Sequence, residues 1–309
     1  MTLFSREEVL NRIKLQQAFY ESELSNIDLT STNLDRGQFP QAYLRGANLK
    51  NASCQKTDFS SAILRFANLT NANLTGAIIT KAEFNSACLY KTNLKEVKAT
   101  KVKFYGASLD FLEAPFAILT DADFREAQGN NCNFSSANLE RANLINASLT
   151  HSNFSNAKLG KAIASHANLT HTIWKNADLA RVNFSQSNLI AADFSQANLI
   201  DTDLSKTNLT EANFQDAELI KATLKQAIFN QVNLTNTSLI TADLEGVTFT
   251  KIDFQGTILQ DANLENTVWR NINFIDCNVD NAVFTNAKGL TLEQKQWLRK
   301  NGASNVPEE

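Results

Sequence analysis

The chain has 309 residues, a formal net charge of −3 at pH 7 and an isoelectric point near 5.7, which is too mild a charge to indicate a nucleic-acid-binding protein or an acidic mimic by itself. No apolar run approaches the roughly 18 residues that a membrane-crossing helix needs, and the first residues have neither the basic start nor the apolar stretch of a signal peptide. The sequence therefore predicts a cytoplasmic protein with no membrane partner.

Residues 1–23 are predicted to form an N-terminal helical cap. Ser5 and Glu8 have the spacing of a capping box, in which each side chain bonds the backbone N–H of the other residue. Apolar residues for one helix face stand at Val9, Leu10, Ile13 and Leu15. Such a helix can cover an unpaired β-edge that would otherwise invite aggregation. A dimer contact is the alternative role.

Residues 24–287 follow a period of five. From Leu24 to Phe284 the same position returns every fifth residue without a change of phase, in 53 successive units, of which 44 have Leu or Phe there, and a small residue, usually Ala, stands two positions before it. Two inward side chains in every five residues fit neither the roughly 3.6-residue period of an α-helix nor the alternation of a strand. The pattern therefore predicts a chain that turns every five residues.

Large aromatic residues indicate how many turns complete one coil. They recur twenty residues apart at Phe134, Phe154, Trp174, Phe194 and Phe214, and again at Phe254 and Phe274. The bulky positions ten residues away from these aromatic residues hold mostly smaller side chains. Residues ten apart face each other across a twenty-residue coil, so Trp174 would face Ala164, as close packing requires. Each coil is therefore predicted to have four five-residue sides.

The repeated run of a small residue, Asn or Asp, and Leu, as in Ala47, Asn48 and Leu49, resembles the pentapeptide-repeat family, whose consensus is A(D/N)LXX. The resemblance implies an all-β solenoid, namely a right-handed quadrilateral β-helix of about 13 coils with short α-helical caps at both ends. With a strand spacing of about 4.8 Å, we expect one rod on the order of 60 Å long.

The segment from Cys88 to Asn133 departs furthest from this consensus. Ala99, Ala114 and Gly129 replace the bulky residue, and Pro115 falls at a turn. Four aromatic residues of the segment point outward: Tyr90, Tyr105, Phe111 and Phe116. Two hypotheses remain open, a locally distorted coil whose aromatics cover a thin core, and a binding surface for a partner.

Two surface columns are candidates for contacts, because outward positions twenty residues apart lie in successive coils. The first places Ile200, Ile220 and Ile240 where Ser and Thr are commoner, which predicts a partner or dimer contact unless neighbouring side chains screen it. The second contains Arg141, Lys161 and Arg181. A solvated face is the default interpretation of this column, and an anion or RNA phosphate contact is the alternative, because like charges stacked this closely cost a little stability.

Charge also divides along the chain. Residues 36–110 carry eleven Lys or Arg against four Asp or Glu, hence +7, and residues 191–285 carry five against thirteen, hence −8. The second stretch would span about 23 Å, over which duplex DNA carries roughly 13 charges, so its charge density reaches little more than half that of DNA. Its candidate phosphate substitutes are Asp201, Asp203, Asp216, Glu218, Asp243, Glu245, Asp253 and Asp261.

Residues 288–309 are predicted to form a C-terminal helical cap and tail. Thr291 has the character of an N-cap residue, and Gly302 that of a helix stop. Between them, Leu292, Trp297 and Leu298 supply apolar contacts, with Trp297 expected to plug the last coil.

No phosphate-binding loop, nucleophile motif or clustered set of metal ligands occurs in the sequence, so we expect no catalytic activity, cofactor or metal. Three of the four cysteines, Cys54, Cys132 and Cys277, stand at inward repeat positions, and Cys88 points outward.

The sequence thus favours a non-enzymatic scaffold, a rigid rod that presents columns of side chains to a protein partner and is itself a monomer or homodimer. Direct binding of nucleic acid is not expected. The alternative comes from the topoisomerase-protecting members of the family, in which a dimer of acidic rods occupies the DNA site of gyrase. Under that hypothesis the acidic C-terminal third would act as a partial DNA mimic.

Overall fold

A computed structural model of the protein describes residues 4–274 and 276–308. The chain divides into two compact units, an N-terminal unit, Met1–Lys158, and a C-terminal unit, Leu159–Glu309. The predicted single array over residues 24–287 stays a prediction.

Each five-residue repeat contributes one short bridge and one turn. The turn after Leu24 is closed by the N–H of Ile27, which donates to the Leu24 carbonyl at 3.2 Å, and Asn26 within it has a φ of 59°. The residue before each bulky residue forms the bridge. In most repeats where it is Asp or Asn, its side chain accepts the N–H two residues on, as Asn33 Oδ1 does from Asp35 at 2.9 Å. This bond explains the D/N of the consensus, because it fixes the start of the turn.

Parallel bridges repeat with a spacing of twenty residues within both units. Glu23 pairs with Tyr43 and Tyr43 with Ile63 in the N-terminal unit, while Asn183 pairs with Asp203 in the C-terminal unit. The predicted twenty-residue coil is therefore confirmed, and each unit is a parallel β-helical solenoid.

Longer strands form where pairing extends beyond a single bridge. In the N-terminal unit β1 (Gln128–Asn130) pairs with β2 (Ser148–Thr150) in parallel. In the C-terminal unit the parallel order is β3 (Ile228–Asn230), β4 (Thr248–Asp253) and β5 (Val268–Asn273).

The segment from Cys88 to Asn133 keeps its pairing register. Cys88 pairs with Ser108, and Ser108 with Gln128, so the coils of this segment are regular, and the hypothesis of a local distortion, one of the two left open, is not supported. At Gly129 an added Cβ would lie 2.6 Å from Cys132 Sγ, which shows that the cysteine fills the space of the missing bulky side chain. The substitutions therefore compensate one another locally.

Stacked aromatic rings fill the core of the N-terminal unit. Phe39 lies between Phe19 and Phe59, with centroids 4.7 and 5.1 Å away. A second stack joins Phe104 to its neighbours twenty residues either side, Phe84 and Phe124, at 5.4 and 5.1 Å.

The core of the C-terminal unit contains two tryptophans that share one hydrogen-bonding arrangement. Trp174 and Trp269 are fully buried. The indole N–H of Trp269 donates to Thr267 Oγ1 at 2.8 Å, and that hydroxyl donates to the Leu264 carbonyl at 2.7 Å. The same chain of bonds runs from Trp174 through the threonine two residues before it. Threonine at the inward small position thus satisfies a donor that burial would otherwise penalise.

Helix α1 (Arg6–Lys14) begins with the predicted capping box, in which Ser5 and Glu8 bond each other's backbone N–H. Val9 is buried, whereas Leu15 lies beyond the helix end and is 69% exposed. Including Leu15 in the apolar face was therefore wrong. The Arg12 guanidinium lies 5.1 Å from the Phe19 ring.

Helix α2 (Leu292–Lys300) begins at Thr291, whose hydroxyl accepts the N–H of Gln294 at 3.2 Å. Leu298 is fully buried, while Trp297 is half-buried and stacks on Phe274 at 5.7 Å. Leu298 is thus the side chain of α2 that is completely buried. Trp297, which was predicted to plug the last coil, packs on Phe274 but stays partly exposed. Within the described residues, neither helix has the length and apolar character needed to cross a membrane.

Candidate interaction surfaces

One side of the N-terminal unit exposes a group of aromatic and basic residues, called the Phe66 surface below, that consists of Tyr43, Arg45, Ile63, Arg65 and Phe66. Tyr43 and Ile63 are bridge partners in successive coils. Phe66 occupies a turn, where its φ is 60° and its side chain is 57% exposed. These residues, with Glu23 and Ser25, line a depression of about 480 Å³.

The two arginines of the Phe66 surface differ in their partners. Arg65 Nη2 lies 2.6 Å from Glu83 Oε2, and Lys103 Nζ lies 3.0 Å from the other oxygen of that carboxylate. Burial acts to raise the pKa of Glu83, but the bonds from Lys103 and Arg65 outweigh it and lower this pKa overall. Arg45 instead places its guanidinium 5.5 Å from the centroid of the Phe66 ring, and the described residues give it no carboxylate partner.

Our sequence interpretation missed the Phe66 surface. The available signals were a phenylalanine at the second turn position, where most repeats have polar residues, and the pair Tyr43 and Ile63 at bridge positions twenty residues apart. Both lie outside the segment from Cys88 to Asn133, where the repeats depart furthest from the consensus.

The four aromatic residues predicted as one surface divide into separate places. Tyr90 and Phe111 meet edge to face with centroids 5.8 Å apart, and Lys91 Nζ lies over both rings. The Tyr105 hydroxyl donates to Glu126 Oε2 at 2.7 Å, and this bond raises the pKa of Tyr105. Phe116 is 58% exposed at the turn after that of Phe111. The four side chains therefore do not form one continuous patch, although each position is an outward one.

The predicted isoleucine column is present within the C-terminal unit. The N–H of Asp201 donates to the Ile220 carbonyl and that of Lys221 to the Ile240 carbonyl, both at 3.0 Å, so Ile200, Ile220 and Ile240 lie in successive coils. All three side chains are half-buried, which means that neighbouring residues screen part of the stripe. Its role as a contact stays a prediction.

The eight candidate phosphate substitutes are dispersed. Asp201 and Asp261 share one column position, and Asp203 and Asp243 share another, while the remaining four occupy further positions around the coil. Lys225 Nζ lies 3.0 Å from both Asp243 and Glu245 and neutralises part of their charge. The acidic residues therefore do not converge on one side.

Both arginines of the basic column have a carboxylate neighbour. Arg141 bonds Asp121 at 2.7 Å in the N-terminal unit, and Arg181 lies 3.6 Å from Asp201 in the C-terminal unit, which also contains Lys161. The anion contact stays a prediction. Within residues 4–274 and 276–308, no group of three His, Cys, Asp or Glu side chains has an arrangement that could hold a metal ion.

Comparison with known proteins identifies the repeat. The sequence profile described as pentapeptide repeats matches residues 22–65, 57–96, 116–144, 130–163, 165–199, 177–216, 187–226, 217–256 and 257–288. The stretch 97–115, which these matches leave out, lies inside the divergent segment. No curated protein matches the chain significantly.

Several solved structures are similar to the chain. HetL, a pentapeptide repeat protein involved in heterocyst differentiation regulation in the cyanobacterium Nostoc sp. strain PCC 7120, is 26% identical over 76% of this chain and 96% of its own, with a TM-score of 0.36. QnrB1, a plasmid-mediated fluoroquinolone resistance protein, is 15% identical over 78% of this chain and 91% of its own, with a TM-score of 0.30. A pentapeptide repeat protein from the thylakoid lumen of Arabidopsis thaliana is 27% identical over 43% of this chain and 82% of its own, with a TM-score of 0.19. On the repeat matches, which extend over most of its length, the chain belongs to the pentapeptide-repeat family.

Proposed function

We propose that the protein is a non-enzymatic scaffold that binds a protein partner through exposed aromatic side chains of its N-terminal unit. One observation carries the proposal. Three phenylalanines, Phe66, Phe111 and Phe116, occupy turn positions with φ between 58° and 60°, and their side chains are 41–58% exposed.

Neither the turn nor the solvent favours phenylalanine at these positions. The left-handed conformation costs an ordinary L-residue roughly 1–2 kcal/mol, a cost that Asn and Gly reduce, and an exposed ring leaves apolar surface in water. Local choices that conflict with the fold are expected at functional sites. Aromatic residues and arginine also dominate the binding energy of protein interfaces, and both are present here.

The test is affinity capture from the host lysate by the wild-type protein and by three single variants, Phe66→Asn, Phe111→Asn and Phe116→Asn. We expect at least one variant to lose a partner that the wild type retains. Ser86→Asn is the matched control, because Ser86 occupies the same turn position one coil after Phe66 with a φ of 54°. Equal capture of every partner by all four variants would contradict the proposal.

The isoleucine column is a second candidate contact of the same scaffold, supported by three apolar residues in successive coils. Ile220→Lys should abolish binding of a partner seated there without changing the melting temperature. Unchanged binding would remove the column from consideration. The same column could join two copies, in which case the variant would convert a homodimer to a monomer.

Partial DNA mimicry remains the alternative function, supported by the net charge of −8 over residues 191–285. It predicts inhibition of purified DNA gyrase in a supercoiling assay, strongest at low salt because the contact would be electrostatic. Supercoiling that is unaffected at low salt would eliminate it.

The terminal helices are proposed to cap the solenoid, α1 through Val9 and α2 through Leu298, both of which are fully buried. The finer geometry that the family resemblance implies, a right-handed quadrilateral coil repeated about 13 times, and the cytoplasmic location belong to the same proposal. Removal of residues 292–308 should produce soluble oligomers in light scattering, since uncovered β-edges associate.

A further inference from the structure

We propose that the Phe66 surface binds an acidic peptide segment of the partner, which places an apolar side chain against Ile63 and a carboxylate on Arg45. The proposal rests on the protein-binding function above and adds the chemistry of the segment that is bound.

The charges of the surface call for a carboxylate. Arg65 already pairs with Glu83, 2.6 Å away, whereas the guanidinium of Arg45 lies over the Phe66 ring and the described residues give it no ion pair. A guanidinium stacked on a ring keeps its N–H donors in the plane of the group, where they can bond a planar carboxylate in bidentate geometry. Residues 36–110, which include this surface, carry a net +7, which attracts an acidic segment to this part of the N-terminal unit.

The shape and polarity of the surface call for an apolar side chain beside that carboxylate. Tyr43 and Phe66 are 44% and 57% exposed and enclose the half-buried Ile63. The same turn position holds Gly46 one coil before Phe66 and Ser86 one coil after it, so small residues flank the ring and leave it open. A depression of about 480 Å³ lies within the range of small ligand sites and accepts one or two side chains.

The lining favours a peptide over a single-stranded nucleic acid, although exposed aromatic residues near basic ones occur in sites for both. Glu23 borders the depression, and Glu83 occupies the bridge position beyond Ile63. These carboxylates would repel a chain of phosphates, and Ile63 offers no flat face for a base. A peptide that alternates apolar and acidic residues can place a carboxylate on Arg45 and an apolar side chain beside each glutamate, whereas every unit of a nucleic acid carries a phosphate.

The experiment measures fluorescence anisotropy of labelled peptides with the full-length protein. The first probe is a decapeptide of alternating leucine and aspartate. Matched probes replace every aspartate by lysine or every leucine by serine, and an oligouridine RNA tests the other class of ligand. We expect the leucine and aspartate probe to bind at least about tenfold more tightly than the other three, and to weaken as salt increases.

Variants assign the binding to the surface. Arg45→Gln and Phe66→Asn should each weaken the leucine and aspartate probe by about tenfold or more. Lys50→Gln, which removes an exposed basic residue from the next side of the same coil, should leave it unchanged, and thermal melts should show that all three variants fold. Equal binding by wild type and both surface variants, or tighter binding of the RNA, would overturn the proposal.

The outcomes also separate this proposal from the proposed function. A captured partner that Phe66→Asn loses, together with no binding of the acidic probe, would refute the peptide chemistry and leave the scaffold intact. Capture that no phenylalanine variant affects would refute the scaffold itself.

Discussion

The two units use aromatic residues differently. The N-terminal unit places them both in its core and on its surface, where Tyr43, Phe66 and Phe116 are 44–58% exposed. In the described part of the C-terminal unit no Phe, Tyr or Trp is exposed, and its exposed large apolar residues are Ile163, Ile173, Ile228 and Leu292. Because the backbone of the repeat is the same in both units, its outward positions diverge without altering the fold.

Under the proposed function, stability depends on the inward positions of the five-residue unit and recognition of a partner on its turn positions. Inward positions must satisfy packing, as the fully buried Trp174 and Trp269 do with their threonine partners. Turn positions carry few structural demands beyond a positive φ, and under the proposed function an aromatic residue there serves contacts with other molecules. Mutations at the two kinds of position should therefore separate stability from binding.

The largest effect is expected for Trp269→Ala in the C-terminal unit. The ring stacks on Phe249 at 4.4 Å and contacts Phe274 and Phe284, so its removal leaves a large cavity. We expect the free energy of unfolding to fall by about 3–5 kcal/mol. Urea unfolding followed by circular dichroism measures it. Phe66→Ala in the N-terminal unit is the surface control. An equal loss for the two variants would contradict the distinction between inward positions, which determine stability, and turn positions, which do not.

A smaller loss is expected for Thr267→Val, which keeps the shape of the side chain but removes the acceptor of the Trp269 indole N–H. A buried donor without a partner costs about 1–3 kcal/mol. Thr237→Val is the matched control, because the Thr237 hydroxyl donates to the Phe214 carbonyl and serves no tryptophan. Equal urea midpoints for the two variants would show that the indole bond contributes no stability of its own.

Phe66→Asn should change the free energy of unfolding by less than about 1 kcal/mol, because relief of the left-handed backbone offsets the lost contact with Arg45. The same urea experiment measures this change beside partner capture. A loss near that of Trp269→Ala would mean that Phe66 is a structural residue and would remove the main support for the proposed function.

Much of the fold was predictable from the sequence, because the five-residue period states which side chains point inward and the twenty-residue aromatic recurrence gives the length of a coil. The candidate site was not. Whether Tyr105 joins Phe111 or bonds Glu126 depends on the side of the coil and on the length of neighbouring side chains, which a one-dimensional pattern does not contain. The pairing of Arg65 with Glu83, which leaves Arg45 without a carboxylate, has the same origin.

The smallest effect concerns buried thiols, which should behave alike in both units because the interior positions are equivalent. Burial raises the pKa of Cys132 in the N-terminal unit and of Cys277 in the C-terminal unit to about 12, from an ordinary value of 9.0. A raised pKa in the folded state means that the folded protein retains a proton that the unfolded chain loses. The stability contribution is therefore complete well below pH 9 and is lost as pH rises from there towards 12.

At pH 9 the titration of each thiol should lower the free energy of unfolding by about 0.4 kcal/mol relative to neutral pH. The measurement is the difference in pH dependence of urea unfolding between the wild type and Cys132→Ala or Cys277→Ala, since lysine and tyrosine titration is common to all three. In both variants the free energy of unfolding should decline less steeply above pH 8.5 than in the wild type, and by the same amount. A flattening confined to one variant would show that the interiors of the two units differ in access to solvent, and the difference between the units would then extend from their surfaces to their cores.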